Sequence, residues 1–177
     1  MKKKLFLIAT FIMSLVFTQN INATHLMGGE ITWQCIKDPA NPNVGQYIFT
    51  MKLYRDCDGT TLSQFAEIVD VFEDGVNIQS ISCDFISNSD ISPICDVVNS
   101  GNPQLDCYGA NPAGAVEEYI YESQPISLPG TPPASGWHFV WSSCCRNGAI
   151  TNLVLSSPSN PSEGFTLRAS MYPFTDP

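Results

Sequence analysis

The sequence predicts an all-β fold, a disulfide-stapled antiparallel β-sandwich of immunoglobulin-like or jelly-roll topology. Three observations predict it. Apolar residues recur with a period of two in several short runs, which is the signature of half-buried strands. Turn-forming residues, including 12 glycines and 13 prolines, gather between those runs. Seven cysteines follow a secretory signal, and no helical apolar period is sustained beyond it.

The signal must be set aside before the fold is read. Lys2, Lys3 and Lys4 form a positive start, residues 5–17 are apolar, and Ile21-Asn22-Ala23 offers a small-residue cleavage site. That apolar stretch is shorter than the roughly 20 residues a spanning helix needs, and nothing later replaces it. Residues 1–23 are therefore expected to be a signal peptide and residues 24–177 a single β-sandwich domain without a transmembrane anchor. The first cysteine, Cys35, is too far along to take a lipid at a new N-terminus. The expected location is the cell surface or the extracellular space, or the periplasm if there is no export across an outer membrane.

The strands follow in order. Ile31, Trp33 and Cys35 alternate with Thr32 and Gln34; Tyr47, Phe49, Met51 and Leu53 form an apolar face opposite Thr50 and Lys52. Residues 65–73 and 76–81 read as strands joined by Asp74-Gly75, a tight hairpin turn. A further strand covers 116–123. Trp137, Phe139 and Trp141 alternate with His138 and Ser142, and Phe165, Leu167, Ala169 and Met171 alternate with Thr166, Arg168 and Ser170. The stretches 38–45, 87–113, 128–136 and 156–164 read as connections. A mature chain of this length suits one domain with a real core, so disulfides would reinforce the fold rather than substitute for a core.

Loss of the signal lysines leaves Lys37, Lys52, Arg55, Arg146 and Arg168 against 17 acidic residues. Such a surface repels phosphate backbones, so nucleic acid is excluded as a partner. The cysteines are Cys35, Cys57, Cys83, Cys95, Cys107, Cys144 and Cys145; their spacing has no C-x-x-C pair and favours disulfides over zinc. Cys95 and Cys107 share the longest connection, where a local bridge would restrain the loop. Adjacent Cys144 and Cys145 point to opposite faces of a strand and would bridge two different segments.

Chemistry-bearing motifs are few. Asp56-Cys57-Asp58-Gly59 opens like a calcium loop, making Asp56 and Asp58 a weak calcium candidate, although a polar turn leaving a strand accounts for the same residues. No other cofactor is indicated. Acyl transfer would need His25 or His138 as base, with no nucleophile elbow in sight. Glu117, Glu118 and Glu122 could in principle supply a carboxylate pair for glycoside hydrolysis. Acidic residues on strands are more often simply solvated, and no enzyme is expected. Trp33, Trp137 and Trp141 lie on apolar phases and read as core. Tyr119 and Tyr121, sharing a face with Glu117, are the surface candidates for a ligand.

Three separated motifs, residues 24–35 (THLMGGEITWQC), 53–57 (LYRDC) and 144–152 (CCRNGAITN), resemble the N-terminal module of large gliding-motility-associated or adhesin-like surface proteins of Bacteroidota. The resemblance runs from about Thr24 to Tyr172. It implies a non-enzymatic module acting in adhesion or surface assembly, with neighbouring domains, surface proteins or glycans as partners. It also implies bridges among Cys35, Cys57, Cys95, Cys107, Cys144 and Cys145, leaving Cys83 free or intermolecular. The preferred pairing is Cys95 with Cys107, and Cys35 and Cys57 with the Cys144-Cys145 pair, within a connectivity that the sequence leaves open. Such proteins usually continue into further domains, so the chain is either a piece of a longer protein or a stand-alone version. The alternative function is a free-standing carbohydrate-binding sandwich.

Overall fold

The computed structural model describes residues 26–94, 104–110, 112–143 and 164–173. The expected signal peptide, His25, Cys95, Cys144, Cys145 and Arg146 lie outside them. Seven strands make up the fold: β1 (Leu26–Cys35), β2 (Tyr47–Asp56), β3 (Glu67–Glu73), β4 (Val76–Asp90), β5 (Val116–Ser123), β6 (Trp137–Ser143) and β7 (Phe165–Met171). There is no helix among the described residues.

The strands pair antiparallel in the order β1-β2-β5-β4-β3-β6-β7. The all-β class and the antiparallel pairing are as the sequence predicts. The division into two sheets is not what these residues form: one hydrogen-bonded sheet rolls until its ends nearly meet. β4 is the reason. Cys83 pairs with Glu67 of β3 and with Ser123 of β5, so one long strand carries the ladder from one half of the structure into the other. Irregularities at Leu26/Gly28, Val71/Phe72 and Phe85/Ser87 add bend and twist where a flat sheet could not close.

Asp74 and Gly75 form the expected two-residue hairpin between Glu73 and Val76, both with positive φ, 46° and 84°. Such a turn matches the natural strand twist, and glycine takes that conformation without steric cost. β4 runs on to Asp90, through residues read from sequence as loop. Ser87–Asp90 show no apolar alternation because their partner residues, Ile120 back to Glu117 on β5, supply backbone pairing rather than side-chain burial. Conversely, Phe65, expected to open β3, lies outside it and is 83% exposed.

The inner face holds Phe49, Met51 and Leu53 of β2, Val69 and Val71 of β3, Ile81 and Cys83 of β4, and Trp137, Phe139 and Trp141 of β6. Contacts cross the interior. Phe139 lies 4.7 Å from Phe49 and 5.1 Å from Trp33, ring centre to ring centre, joining β6 to β2 and β1, which are far from it in the ladder. Each fully buried Leu or Phe side chain contributes about 1.5–3 kcal/mol relative to exposure. The tryptophans are core residues as expected, with Trp33 only partly buried. Trp137 Nε1 donates to Glu73 at 2.8 Å and Trp141 Nε1 to Glu67 at 3.0 Å, satisfying both indoles and clamping β6 onto the two ends of β3.

Gly29 marks the seam where β1 meets β7. A Cβ there would stand 2.6 Å from the Lys52 carbonyl oxygen and 2.7 Å from Leu167 Cδ1. The carbonyl belongs to the β2 ladder and cannot turn aside. Gly29→Ala is therefore expected to lower stability by about 1–3 kcal/mol in chemical denaturation. Gly28→Ala, whose Cβ would meet only Tyr54 Cδ2 at 3.6 Å, should cost clearly less.

Candidate functional site: a buried arginine–carboxylate cluster

The inward phase of β2 runs Phe49, Met51, Leu53 and then Arg55, so the alternation that buries three apolar side chains also buries a guanidinium. On β5 the inward phase is Glu117, Tyr119, Tyr121 and Ser123. Arg55 and Glu117 stand directly opposite each other in the β2–β5 ladder, 5% and 1% exposed. Two opposite charges meet where the fold would otherwise place hydrocarbon.

Every acceptor position of the Glu117 carboxylate is used. Oε2 takes Arg55 Nε at 2.7 Å and Nη2 at 2.6 Å. Oε1 takes the amide of Asn88 at 2.5 Å and the hydroxyl of Tyr108 at 2.7 Å. The remaining guanidinium nitrogen, Nη1, donates to the carbonyls of Asp56, Cys57 and Gly59, and the Tyr119 ring lies 5.9 Å from the guanidinium carbon. Burial alone would push the carboxyl of Glu117 up. The hydrogen bonds from Tyr108, Asn88 and Arg55, with the guanidinium charge, outweigh it and hold the group below the ordinary carboxylate value. The same bond pushes the Tyr108 hydroxyl up to about 12, helped by burial.

A disulfide lies against the cluster. Cys57 bridges to Cys107, closing a loop with a sequence separation of 50. The expected pairings of Cys107 with Cys95 and of Cys57 with the Cys144-Cys145 pair are thereby corrected. The bridge secures the exit of β2 to the segment before β5, because the ends of β2, β4 and β5 converge there; sequence proximity carries no such information. Asp90 at the end of β4 accepts the Cys107 amide at 2.8 Å and the Ser92 amide at 2.8 Å, while Ser92 Oγ accepts the Val116 amide at 2.9 Å. Hydrogen bonds from Ser92 and the Cys107 amide hold the Asp90 carboxyl low.

The other predicted site residues separate rather than gather. Tyr119 and Tyr121, expected at the surface, are 1% and 0% exposed, and Tyr121 donates its hydroxyl to the Ser63 carbonyl at 2.6 Å. Both phases of β5 mix polar with apolar side chains, so its alternation does not reveal which face turns inward. Glu118 and Glu122 take the outer face. Glu118 pairs with Lys52 at 3.2 Å. The two outer glutamates are four residues apart on an extended strand, roughly 13 Å, beyond the roughly 5–9.5 Å of a glycosidase pair. His138 lies on β6 with its Nδ1 2.8 Å from Ser170 Oγ on β7, and no third side chain is seen to orient its ring among the described residues.

Asp56 Oδ1 accepts the amides of Asp58 at 3.0 Å and Gly114 at 3.3 Å, and the Asp56 carbonyl accepts that of Gly59. This is turn chemistry, with the carboxylate already engaged. No group of three or more His, Cys, Asp or Glu side chains gathers to hold a metal among the described residues. Cys35, expected in a bridge, carries a free thiol and is half-buried, beside an open depression of about 1030 Å³ lined also by Trp33, Lys37, Asp38 and Tyr47. Cys83 is also free, but wholly buried on the inner face, which excludes it as an intermolecular link in this fold. Burial, with the charges of Asp84 and Glu122, pushes its thiol up to about 12.

Sequence reasoning overlooked Arg55, Asn88 and Tyr108. The available signal was a charge on the apolar phase of each of two strands: Arg55 after Phe49, Met51 and Leu53, and Glu117 before Tyr119 and Tyr121.

Glu117→Gln keeps the shape but removes the charge opposing Arg55, and should cost about 3–5 kcal/mol in urea unfolding. Glu118→Gln on the outer face should cost about 1 kcal/mol or less. Because Glu117 is held below its ordinary value of 4.5 and Asp90 below 3.8, their contributions are present above those values and lost as pH falls through the folded ones. Unfolding free energy should thus drop from about pH 4.5 downward, and Glu117→Gln should flatten that drop. In native thiol labelling, Cys35 should react well before Cys83. Comparison of the chain with known protein families, curated proteins and solved structures finds no match.

Proposed function

We propose that this chain is a non-catalytic, exported surface module that acts in adhesion or surface assembly. The observation that carries the reading is the saturation of Glu117. The polar centre of the molecule has every carboxylate lone pair occupied and its pKa lowered, which suits it to hold strands and loops together. A general acid needs the opposite, a raised pKa and an open position beside a substrate. With the interior committed to structure, interaction falls to the outside. That surface is acidic and carries exposed apolar side chains, among them Phe65, Ile68, Val76, Ile86 and Ile94. A disulfide suits an oxidising compartment, as export requires.

The test is attachment of cells and glycans to the immobilised oxidised chain, together with its oligomeric state. Retention of cells or of a surface protein supports the reading; a monomer that retains neither, alongside turnover of any substrate in a hydrolase panel, would end it.

One observation favours the carbohydrate-binding alternative. Trp33 is partly buried and Tyr47 stands near it at the open depression beside Cys35, whereas Trp137 and Trp141 are 1% and 5% exposed. Only Trp33 can therefore stack on a sugar without rearrangement. If soluble polysaccharides quench tryptophan fluorescence, Trp33→Phe should abolish the quenching; quenching that persists in that variant would rule out this depression as the site.

A further inference from the structure

The disulfide and the buried ion pair are parts of one ring. From Arg55 the path runs through Glu117 to the Tyr108 hydroxyl, along one peptide bond to Cys107, across the bridge to Cys57, and back to Arg55 Nη1 through the Cys57 carbonyl. Tyr108 is the unusual member: the residue is 69% exposed, yet its hydroxyl sits on the carboxylate of a residue that is 1% exposed. An exposed ring on a connecting segment has little burial to hold it there. What fixes its position is the neighbouring half-cystine, tied to Cys57 covalently and to Asp90 through its amide.

We propose that the Cys57–Cys107 bridge and the Arg55–Glu117 pair form a redox-coupled latch, in which closing the disulfide seats Tyr108 on Glu117 and completes the buried cluster. Reduction by a dithiol delivers two electrons and two protons to the bridge, giving the Cys57 and Cys107 thiols and the reductant's own disulfide. Among the described residues, the segment carrying Tyr108 is then held by the Asp90 contact, its own turn and a Tyr108–Glu117 bond that the bridge no longer positions. As that bond opens, Glu117 loses a donor and keeps Arg55 and Asn88, while the other lysine and arginine of the described strands, Lys52 of β2 and Arg168 of β7, lie on outer faces, Lys52 against Glu118 and Glu30. The other ionisable groups near the carboxylate are Asp90 of β4, which as a carboxylate has no donor to offer, and Tyr119 of β5, whose hydroxyl already interacts with both Arg55 and Glu117. A chain that remains reduced is accordingly less stable and more acid-sensitive than one oxidised after export. This coupling holds whatever the module binds.

Linkage makes the coupling reciprocal: if the bridge seats the hydroxyl, the seated hydroxyl protects the bridge by the same factor. Tyr108→Phe removes only that hydroxyl. In the oxidised protein it should raise the pH of half-unfolding in acid, and in a Cys57→Ser/Cys107→Ser background the same substitution should have little effect. Equal shifts in the two backgrounds overturn the proposal. Should the bridge-less variant fail to fold, equilibrium reduction of the intact protein by dithiothreitol decides. The proposal expects the bridge of Tyr108→Phe to be reduced about tenfold more readily than wild type, the scale of a hydrogen bond to a charged group. An unchanged equilibrium overturns it.

Discussion

A guanidinium and a carboxylate taken out of water face a desolvation penalty of several kcal/mol each, and attraction between them offsets it only when all their hydrogen-bonding capacity is met. That requirement organises one end of this protein. Glu117 needs Arg55 across the ladder, Asn88 from β4 and Tyr108 from the segment before β5; Arg55 needs the carbonyls of the chain leaving β2. Four pieces of backbone are thus fixed by two side chains. Replacing both charges with hydrocarbon would relieve the desolvation but orphan Asn88 and the loop carbonyls, so the pair specifies where the loops sit as much as it adds stability.

The opposite demand governs the seam. A sheet that rolls up leaves two edge strands, and here β1 and β7 approach closely enough that Leu167 fills the space over Gly29. The β3–β6 ladder has three residue pairs, Asp70 to Phe72 with Val140 to His138, and is the shortest in the sheet. Side chains compensate. The Trp137 and Trp141 indoles reach Glu73 and Glu67, and Phe139 reaches across the interior to Phe49 and Trp33. Closure therefore rests on packing through the core where backbone pairing is thin.

Alternation in the sequence reveals strands well and orientation poorly. β1, β2, β6 and β7 were legible because one phase of each is clearly more apolar, and Asp74-Gly75 named its own turn. β5 was not, since Glu117, Tyr119 and Tyr121 on one phase and Val116, Glu118 and Ile120 on the other are equally mixed. The choice is made by Arg55 on the neighbouring strand, a tertiary fact. The far half of β4 escaped for a related reason: its polar residues are strand because β5 offers them partners. Pairing of Cys107 with Cys57 rather than a nearer cysteine follows from the convergence of β2, β4 and β5, and no spacing rule contains it.

On the outer face charge sets the terms. Lys52 is held between Glu118 and Glu30 at 3.2 and 3.8 Å, so one of the few cations is already neutralised by its neighbours. Glu122 and Asp84 stand opposite each other on β5 and β4, and neither forms an ion pair with a base among the described residues. A like-charged pair in register across two strands is unfavourable in isolation and is relieved by a positive group brought from outside. The strip from Glu122 to Asp84 therefore repels anions, as does the acidic chain as a whole.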